Sequence, residues 1–249
     1  MFSQPFAALD SVAPPAAEAA LPALGRGQLH EVHAVAADWA AALAFVLGAA
    51  AHEGPLVLVR GARRHGWPLA PCAAGLVELG VDPARLLIVA APDAKALLRA
   101  GHEAARCPGL AMVLLESWGA LPAYDLTASR RLVLAAEASR VPVVLLRLEA
   151  QPRASAAHSR WAVRAGPSVA PPGPLAIAPP GPATLAADLL RRRGGPAQLR
   201  WNLAWDEDDG AFRPAPAAPA PPRRAAAPLS GAVVSMGGQR VELPARRVA

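Results

Sequence analysis

The sequence predicts an α/β fold built on a mostly parallel sheet with helices on both faces. Short runs of consecutive Val, Leu and Ile recur along the chain, and such uninterrupted runs are typical of parallel strands buried on both faces. Segments of helical length separate these runs, as the crossover connections of a parallel sheet require. With 249 residues, the chain is long enough to bury one substantial core.

Strands and helices are predicted to alternate through the first two thirds of the chain. The predicted strands are Leu29–His33, Pro55–Arg60, Leu86–Ala91, Leu110–Leu115 and Val141–Leu146. The predicted helices are Ala37–His52, Cys72–Leu79, Ala94–Arg106 and Ser129–Ser139. This alternation is the pattern of an α/β core.

After Arg147 the pattern changes to strands without intervening helices, which predicts an antiparallel extension of the sheet. The candidate strands are Arg160–Arg164, Thr184–Leu190 and Gln198–Trp205. The last two are separated by Gly194-Gly195-Pro196 and followed by Asp206–Gly210, and both segments are typical of turns. A helix over Leu185–Arg193 stays open as an alternative, because this segment also has a helical period.

Composition divides the chain into three parts: an Ala- and Pro-rich N-terminal arm at 1–23, a core at 24–212 and a flexible, basic C-terminal tail at 213–249. The formal net charge of +6 belongs mainly to the tail, because residues 211–249 carry six Arg against one Glu, or +5, which leaves +1 for residues 1–210. The core therefore lacks the strongly basic character of a nucleic-acid-binding domain, and we expect at most weak contact with DNA.

Other features of the sequence exclude a membrane or secreted protein. The longest apolar run, about Ala40–Ala51, is shorter than the ~20 residues that a membrane-spanning helix needs. The N-terminus lacks the positively charged start of a secretory signal, which predicts a cytoplasmic protein. Cys72 and Cys107 are too few for a zinc site, and we expect both to be reduced thiols in the core.

Several separated segments, in a consistent order, carry a family resemblance. They are Gly25–Val32, Leu79–Leu86, Ala111–Ser117, Ser129–Glu137, the turn sequence RRRGGP and the strand end Trp201–Asp206. From residue 24 to about 212 the chain resembles ImuA, a RecA- and SulA-related family of bacterial SOS mutagenesis operons. The resemblance implies a RecA-like core that acts beside ImuB and an error-prone C-family DNA polymerase, with RecA as a further candidate partner.

The resemblance fails where a RecA-like ATPase binds nucleotide. In such enzymes a Gly-rich loop ending in Gly-Lys-Thr follows the first strand and holds the phosphates. Here Asp38, Trp39 and Ala40 occupy this region. Ala40 has no charge, the indole of Trp39 stands where the backbone must approach a phosphate, and Asp38 adds repulsion. The only Lys of the chain is Lys95, in a later predicted helix.

The catalytic groups of the implied ATPase are missing as well. Arg60-Gly61-Ala62 stands where the resemblance places the acids that polarise water. Glu116 stands at the position of the Mg²⁺-linked acid and Ser117 follows it, and without the loop we interpret Glu116 as a strand-end polar residue or helix cap. The segment near Leu148 lacks a polar sensor. The sequence thus predicts a degenerate nucleotide site, with no catalytic residue, metal or cofactor.

The candidate contact residues are exposed arginines. Arg191, Arg192 and Arg193 lie at the predicted hairpin turn, and Arg130 and Arg131 lie in the helix that ends at Ser139. These side chains are candidates for contact with a protein partner or DNA, and the alternative is an ordinary solvated surface. His30 and His33 lie three apart on one strand, on opposite faces, so we expect strand-end polar groups instead of a shared metal site.

The function predicted from the resemblance and the missing loop is that of a non-catalytic accessory protein in damage-induced, error-prone translesion synthesis. Two alternatives stay open: a SulA-like inhibitor of the division GTPase, and a divergent ATPase with an unconventional phosphate site. A Ser155, His158 and Glu149 triad is not expected, because the sequence lacks the turn motif that exposes a nucleophilic serine.

Overall fold

A computed structural model of the chain describes residues 23–49, 54–61, 70–168 and 181–215. The strands are β1 (Leu29–Ala34), β2 (Leu56–Gly61), β3 (Leu86–Ala91), β4 (Met112–Trp118), β5 (Val143–Leu148), β6 (Ser159–Ala165), β7 (Thr184–Arg192), β8 (Leu199–Asp206) and β9 (Ala211–Pro214). The α-helices are α1 (Trp39–Gly48), α2 (Ala73–Glu78), α3 (Ala94–Ala105) and α4 (Leu126–Ser139).

The described strands form one sheet in the order β3-β2-β4-β5-β1-β6-β7-β8-β9. All pairs from β3 across to β6 are parallel, and the pairs β6–β7, β7–β8 and β8–β9 are antiparallel. The predicted α/β class, a mostly parallel sheet with an antiparallel extension, is confirmed. The first strand after Arg147 differs from expectation, because β6 runs parallel to β1 and the antiparallel part begins only at β7.

Helices cover both faces of the parallel part. On one face, Leu43 and Phe45 of α1 pack with Val32 of β1 in a core that also includes residues of β6 to β8. On the other face, α3 and α4 pack against alternate residues of the same strands, and Leu115 of β4 is fully buried there. At Gly101 of α3 an added Cβ would lie 2.3 Å from the Leu115 side chain, so the absence of a side chain lets α3 approach the sheet.

Side-chain caps and tertiary contacts set the helix ends. Asp93 and Asp125 accept hydrogen bonds from the third residue after them and begin α3 and α4, as N-caps do. The predicted helix Ala37–His52 is shorter, because a 3-10 turn at Ala36–Asp38 precedes α1 and the helix ends at Gly48. An added Cβ at Gly48 would lie 2.7 Å from the Phe212 ring. The absence of a side chain at Gly48 therefore lets the end of α1 approach Phe212.

The C-terminal hairpin decides one open alternative and adds one strand. Leu185, Ala187 and Leu189 are buried in the α1-side core at alternate positions, so this segment is a strand and the helical alternative is wrong. The unpredicted β9 places Phe212 against Trp205, with ring centroids 5.0 Å apart. Pro214 is tolerated because β9 is the outermost described strand and needs no donor on its free side.

The structure describes only part of the predicted terminal segments, and it places both cysteines at the surface. The arm through residue 22 and the tail from 216 lie outside the described residues. Cys72 and Cys107 are exposed, so their predicted place in the core is wrong; Cys72 instead accepts a hydrogen bond from Gly75 N at the start of α2. Within the described part of the chain, every helix is too short or too polar to cross a membrane.

Candidate functional site

The centre of the candidate nucleotide site is the carboxylate of Glu116, which lies near the end of β4 and is 1% exposed. Its Oε1 accepts hydrogen bonds from Arg60 Nη2 at 2.9 Å and Trp118 Nε1 at 2.9 Å. Its Oε2 accepts one from Trp39 Nε1 at 3.1 Å. Glu116 is thus a polar residue near a strand end, as expected, and its side chain is buried, paired with a cation and bonded by two indoles instead of capping a helix.

The sheet register brings these groups together. Arg60 of β2 is directly opposite Glu116 of β4 in the parallel ladder, and Trp118 follows two residues later on the same face. Trp39 is the first residue of α1 and is 8% exposed. The site residues that the sequence singled out therefore meet: Trp39 from the region after β1 contacts Glu116 from β4.

Sequence reasoning missed two members of this cluster. Arg60 was identified only as a residue that stands where an acid is absent, and Trp118 was not singled out. The available signal was a reversal of charge, an Arg near the end of β2 and a Glu near the end of the neighbouring β4. Two such side chains form an ion pair only when the strands are adjacent and in register.

The other predicted site residues have structural roles. Asp38 Oδ1 accepts a hydrogen bond from Ala165 N at 3.0 Å, and Ala40 is exposed on α1. Ser117 is 3% exposed, and its hydroxyl donates to Leu146 O of the next strand at 3.5 Å. Only Trp39 and Glu116 of the predicted set are in direct contact.

The backbone that follows β1 is hydrogen-bonded to the carboxylate of Glu149. Glu149, the residue after β5, accepts a hydrogen bond from Ala36 N at 2.6 Å. Its backbone has φ of 53°, a left-handed conformation that costs a non-glycine residue roughly 1 kcal/mol. The backbone N–H that would face an anion in a phosphate-binding loop therefore already has an internal anionic acceptor.

These contacts place hydrogen-bonded carboxylates near the ends of β1, β4 and β5. The three carboxylates are those of Asp38, Glu116 and Glu149, and Arg60 pairs with Glu116. A phosphate group would be repelled by these carboxylates and would find the backbone donor at Ala36 in use. Among the described residues there is no group of three His, Cys, Asp or Glu side chains that could hold a metal ion.

A second buried carboxylate, Glu31 of β1, lies on the opposite face of the sheet from Glu116 and is also hydrogen-bonded on that face. It accepts hydrogen bonds from Tyr124 Oη at 2.7 Å and Arg160 Nε at 2.6 Å. Burial raises the pKa of Glu31, but the polar groups of His33 and Ser155, the cationic Arg160 and the Tyr124 hydroxyl outweigh it and hold the pKa at about 2. Glu31 is therefore ionised at neutral pH.

The Glu31 pair also holds the connection from β5 to β6. Arg160 donates through Nη2 to Ser155 Oγ at 3.2 Å and to Arg153 O. The same connection is fixed from α4, because Ala156 N donates to Ser129 Oγ at 3.0 Å. Residues 149–158 thus form a short, internally bonded segment.

A third buried carboxylate, Asp188 of β7, lies in the antiparallel extension and is 0% exposed. Arg164 of β6 and Arg200 of β8 both donate to its Oδ2, at 3.2 Å and 3.1 Å. The carboxylate therefore joins three neighbouring strands across the sheet. This arrangement satisfies a charge that would be very unfavourable alone in the core.

The predicted contact arginines are all exposed. Arg191 and Arg192 end β7, Arg193 begins the turn, and Arg130 and Arg131 lie in α4. Arg191 Nη1 donates to Ser155 O at 3.1 Å. The next residue, Ala156, donates through its backbone N–H to Ser129 Oγ, and Ser129 precedes Arg130 in α4. The two arginine groups thus flank the same connection, residues 149–158.

His30 and His33 lie one residue from either end of β1, as expected of strand-end polar groups, and each is only 1% exposed. His33 Nδ1 is 3.1 Å from Ala150 O, and its Nε2 is 3.7 Å from Glu31 Oε2, beyond hydrogen-bonding distance. Ser155 is bonded to Arg160 and not to a histidine. The described contacts therefore do not assemble a Ser155 and His158 triad.

Comparison with known proteins finds similar solved structures, among them a recombinase. The crystal structure of the RadB recombinase aligns with 14% sequence identity and a TM-score of 0.49, over 78% of this chain and 93% of that chain. No protein-family model matches the chain, and no curated protein matches it. A similarity this distant assigns neither a family nor an activity.

The Glu116 cluster predicts a strong coupling between Arg60 and Glu116. Arg60→Met leaves a buried carboxylate without its cation and should lower the free energy of unfolding by about 3–5 kcal/mol. The double variant Arg60→Met with Glu116→Gln should recover part of this loss, because it removes the unpaired charge. Urea denaturation measures both, with exposed Arg130→Met as the control. Additive effects of the two single variants would contradict the coupling.

The Glu31 pair predicts a pH dependence of stability. Because the pKa of Glu31 is about 2 in the folded protein against 4.5 ordinarily, its ionised form stabilises the fold above pH ~4.5, and this stability is lost as the pH falls through 2. Glu31→Gln should flatten the profile between these values by about 3 kcal/mol relative to the wild type. The control is Glu103→Gln, whose side chain is exposed. Parallel profiles for wild type and Glu31→Gln would contradict the assignment.

Proposed function

We propose that this chain is a RecA-like protein without nucleotide chemistry, and that it acts as a non-catalytic accessory protein in damage-induced, error-prone translesion DNA synthesis. Its partners on this proposal are ImuB and the error-prone C-family polymerase. The ImuA resemblance of residues 24–212 supports the pathway. The observation that carries the non-catalytic part is the internal bonding of Glu116 by Trp39, Arg60 and Trp118.

The engagement of Glu116 argues against a role in holding Mg²⁺. A hard divalent cation needs free carboxylate oxygens and coordinating water. Both oxygens of Glu116 already accept hydrogen bonds, and the Arg60 guanidinium, 2.9 Å away, would repel a second cation. Mg²⁺ would have to displace a buried ion pair, which is unfavourable unless it supplies equivalent bonds.

The region that would hold the phosphates is equally unsuited to that task. A phosphate-binding loop presents unpaired backbone N–H groups and a positive charge. Here the Ala36 N–H donates to Glu149, and the Ala40 position supplies no charge. The fold is therefore retained without the groups that give it hydrolytic chemistry, which favours a protein selected for its surfaces.

One candidate surface for protein contact is the apolar edge at β3. Leu87 and Ile88 of β3 are 59% and 48% exposed, and Val77 of α2 is 62% exposed. β3 ends the described sheet on this side, so its outer backbone groups have no neighbouring strand among the described residues. An extended segment of a partner could add to such an edge by main-chain hydrogen bonds while its apolar side chains cover Leu87 and Ile88.

The exposed arginines form the second candidate surface. Arg191 to Arg193 and Arg130 with Arg131 flank the 149–158 connection, and they are suited to acidic groups of a partner or to DNA phosphates. Contacts of this kind are screened by salt, whereas the apolar β3 edge depends on burial of surface. The two surfaces can therefore be distinguished by the salt dependence of complex formation.

The proposal predicts that the protein does not bind Mg-ATP. A ligand present at a hundred times its dissociation constant stabilises a protein by about 2.7 kcal/mol, so millimolar Mg-ATP should leave the unfolding midpoint of the purified protein unchanged. ATP turnover measured in parallel should equal that of Glu116→Ala. Turnover that Glu116→Ala abolishes, in a preparation free of contaminating ATPase, would favour a divergent ATPase instead.

The proposal also predicts selective capture of ImuB. Immobilised full-length protein should retain purified ImuB, and Ile88→Asp should weaken retention at least tenfold, because it places a charge in the apolar contact. Leu134→Asp is the matched control, since Leu134 of α4 is 65% exposed and lies outside the β3 edge. Capture of the division GTPase instead of ImuB would replace this function with the SulA-like alternative.

A further inference from the structure

A pocket of about 280 Å³ lies at the opposite end of the strands from Glu116. It is formed where β1 and β6 begin, β7 ends and β8 begins. The lining side chains that matter for its chemistry are His30, His158, Ser159, Trp161, Arg192 and Trp201. The lining contains an arginine, two histidines and two indoles, and no acidic side chain among the described residues.

The floor of the pocket is a fixed chain of hydrogen bonds. Trp161 Nε1 donates to Ser159 Oγ at 2.8 Å, which leaves the serine hydroxyl to donate to His30 Nδ1 at 2.7 Å. His30 Nε2–H then donates to Gly25 O at 3.1 Å. His30 and Ser159 are 1% and 3% exposed, so this arrangement is set before any ligand enters.

The floor is neutral and the rim is positive. Burial lowers the pKa of His30 to about 4, although the bond to Gly25 opposes the shift, so this imidazole is uncharged at neutral pH. At the rim, Arg192 is exposed, and its stem packs beside Gly195, where an added Cβ would lie 3.0 Å from Arg192 Cδ. Burial and the nearby Arg192 and Arg193 also lower the pKa of His158. The permanent positive charge at the pocket is thus the guanidinium of Arg192.

One donor on a residue of the pocket wall has no acceptor within the described part of the chain. Trp201 is 8% exposed, and its Nε1 is buried without a hydrogen-bond partner. Buried indole N–H groups nearly always have an acceptor, because an unsatisfied donor costs roughly 1–3 kcal/mol. Because this nitrogen is itself buried from solvent, Trp201 contributes the face of its indole to the pocket wall and not its N–H.

We propose that this pocket binds a small molecule that carries an oxyanion, a carboxylate or a phosphate monoester, beside a compact apolar body. The Arg192 guanidinium binds the anion, and charge-assisted bonds from arginine to such groups are short and strong. The apolar body packs on the indoles of Trp161 and Trp201. The volume is just below the range of ~300–1,000 Å³ usual for ligand pockets, which restricts the ligand to a small size.

This inference does not depend on the proposed accessory function. It concerns residues at the other end of the strands, and it would hold for any protein with this pocket. It also gives Arg192 a specific role that differs from the general surface role of Arg191 and Arg193. Arg191 contacts Ser155 O, whereas Arg192 lines the pocket.

The test is a titration of the full-length protein with phenyl phosphate, benzoate, inorganic phosphate and a single-stranded oligonucleotide, in which two-dimensional NMR follows the indole N–H signals. Trp201→Phe identifies the Trp201 signal. Phenyl phosphate or benzoate should bind saturably, shift that signal and bind more tightly than inorganic phosphate, because only the first two carry an apolar body. The comparison of phenyl phosphate with benzoate decides between the two oxyanions.

Arg192→Gln should weaken binding about tenfold or more, through loss of a charge-assisted bond. Arg99→Gln is the control, because it removes an equal charge from an exposed position of α3 and should leave binding unchanged. Three results would overturn the proposal: no saturable binding of any probe, equal affinity in Arg192→Gln, or a Trp201 signal that responds only to a single-stranded oligonucleotide. The last result would assign the pocket to nucleic-acid contact.

Discussion

The buried carboxylate of Glu116 imposes the constraint on which the rest of the candidate site depends. A charge that is 1% exposed is tolerated only with a cation and hydrogen-bond donors close to both oxygens. Arg60 of β2 supplies the cation. Trp118, in β4 with Glu116, supplies one donor, and Trp39 of α1 supplies another. Satisfying this one group thus fixes the start of α1 against the ends of two strands.

The same solution recurs at two other places in the sheet. Glu31 pairs with Arg160 of the neighbouring strand, and Asp188 pairs with Arg164 and Arg200 of the strands on either side. Each carboxylate lies inside a strand, and each partner reaches it laterally, so these pairs also bind particular strands in a particular register. The antiparallel extension is thereby joined to the parallel core by charges as well as by backbone bonds.

The alternation of apolar runs and helical segments predicted the fold class and most element positions, because both depend on local periodicity. Contacts between distant segments were not visible in that way. The pairing of Arg60 with Glu116 requires β2 beside β4, which no local pattern specifies. Exposed Cys107 departs from the usual burial of free cysteine, and β9 was hidden because Phe212 stands next to a Pro-rich segment.

For the candidate site, the sequence therefore indicated individual positions and not the contacts between them. Missing residues can be read from the sequence, as Ala40 shows at the position of the phosphate-binding lysine. A buried acid left without its ligand, however, must acquire internal partners or be neutralised. In this chain the indole of Trp39 and the guanidinium of Arg60 are such partners, so they also hold α1 and β2 against β4. Restoring a lysine alone would leave these internal bonds in place.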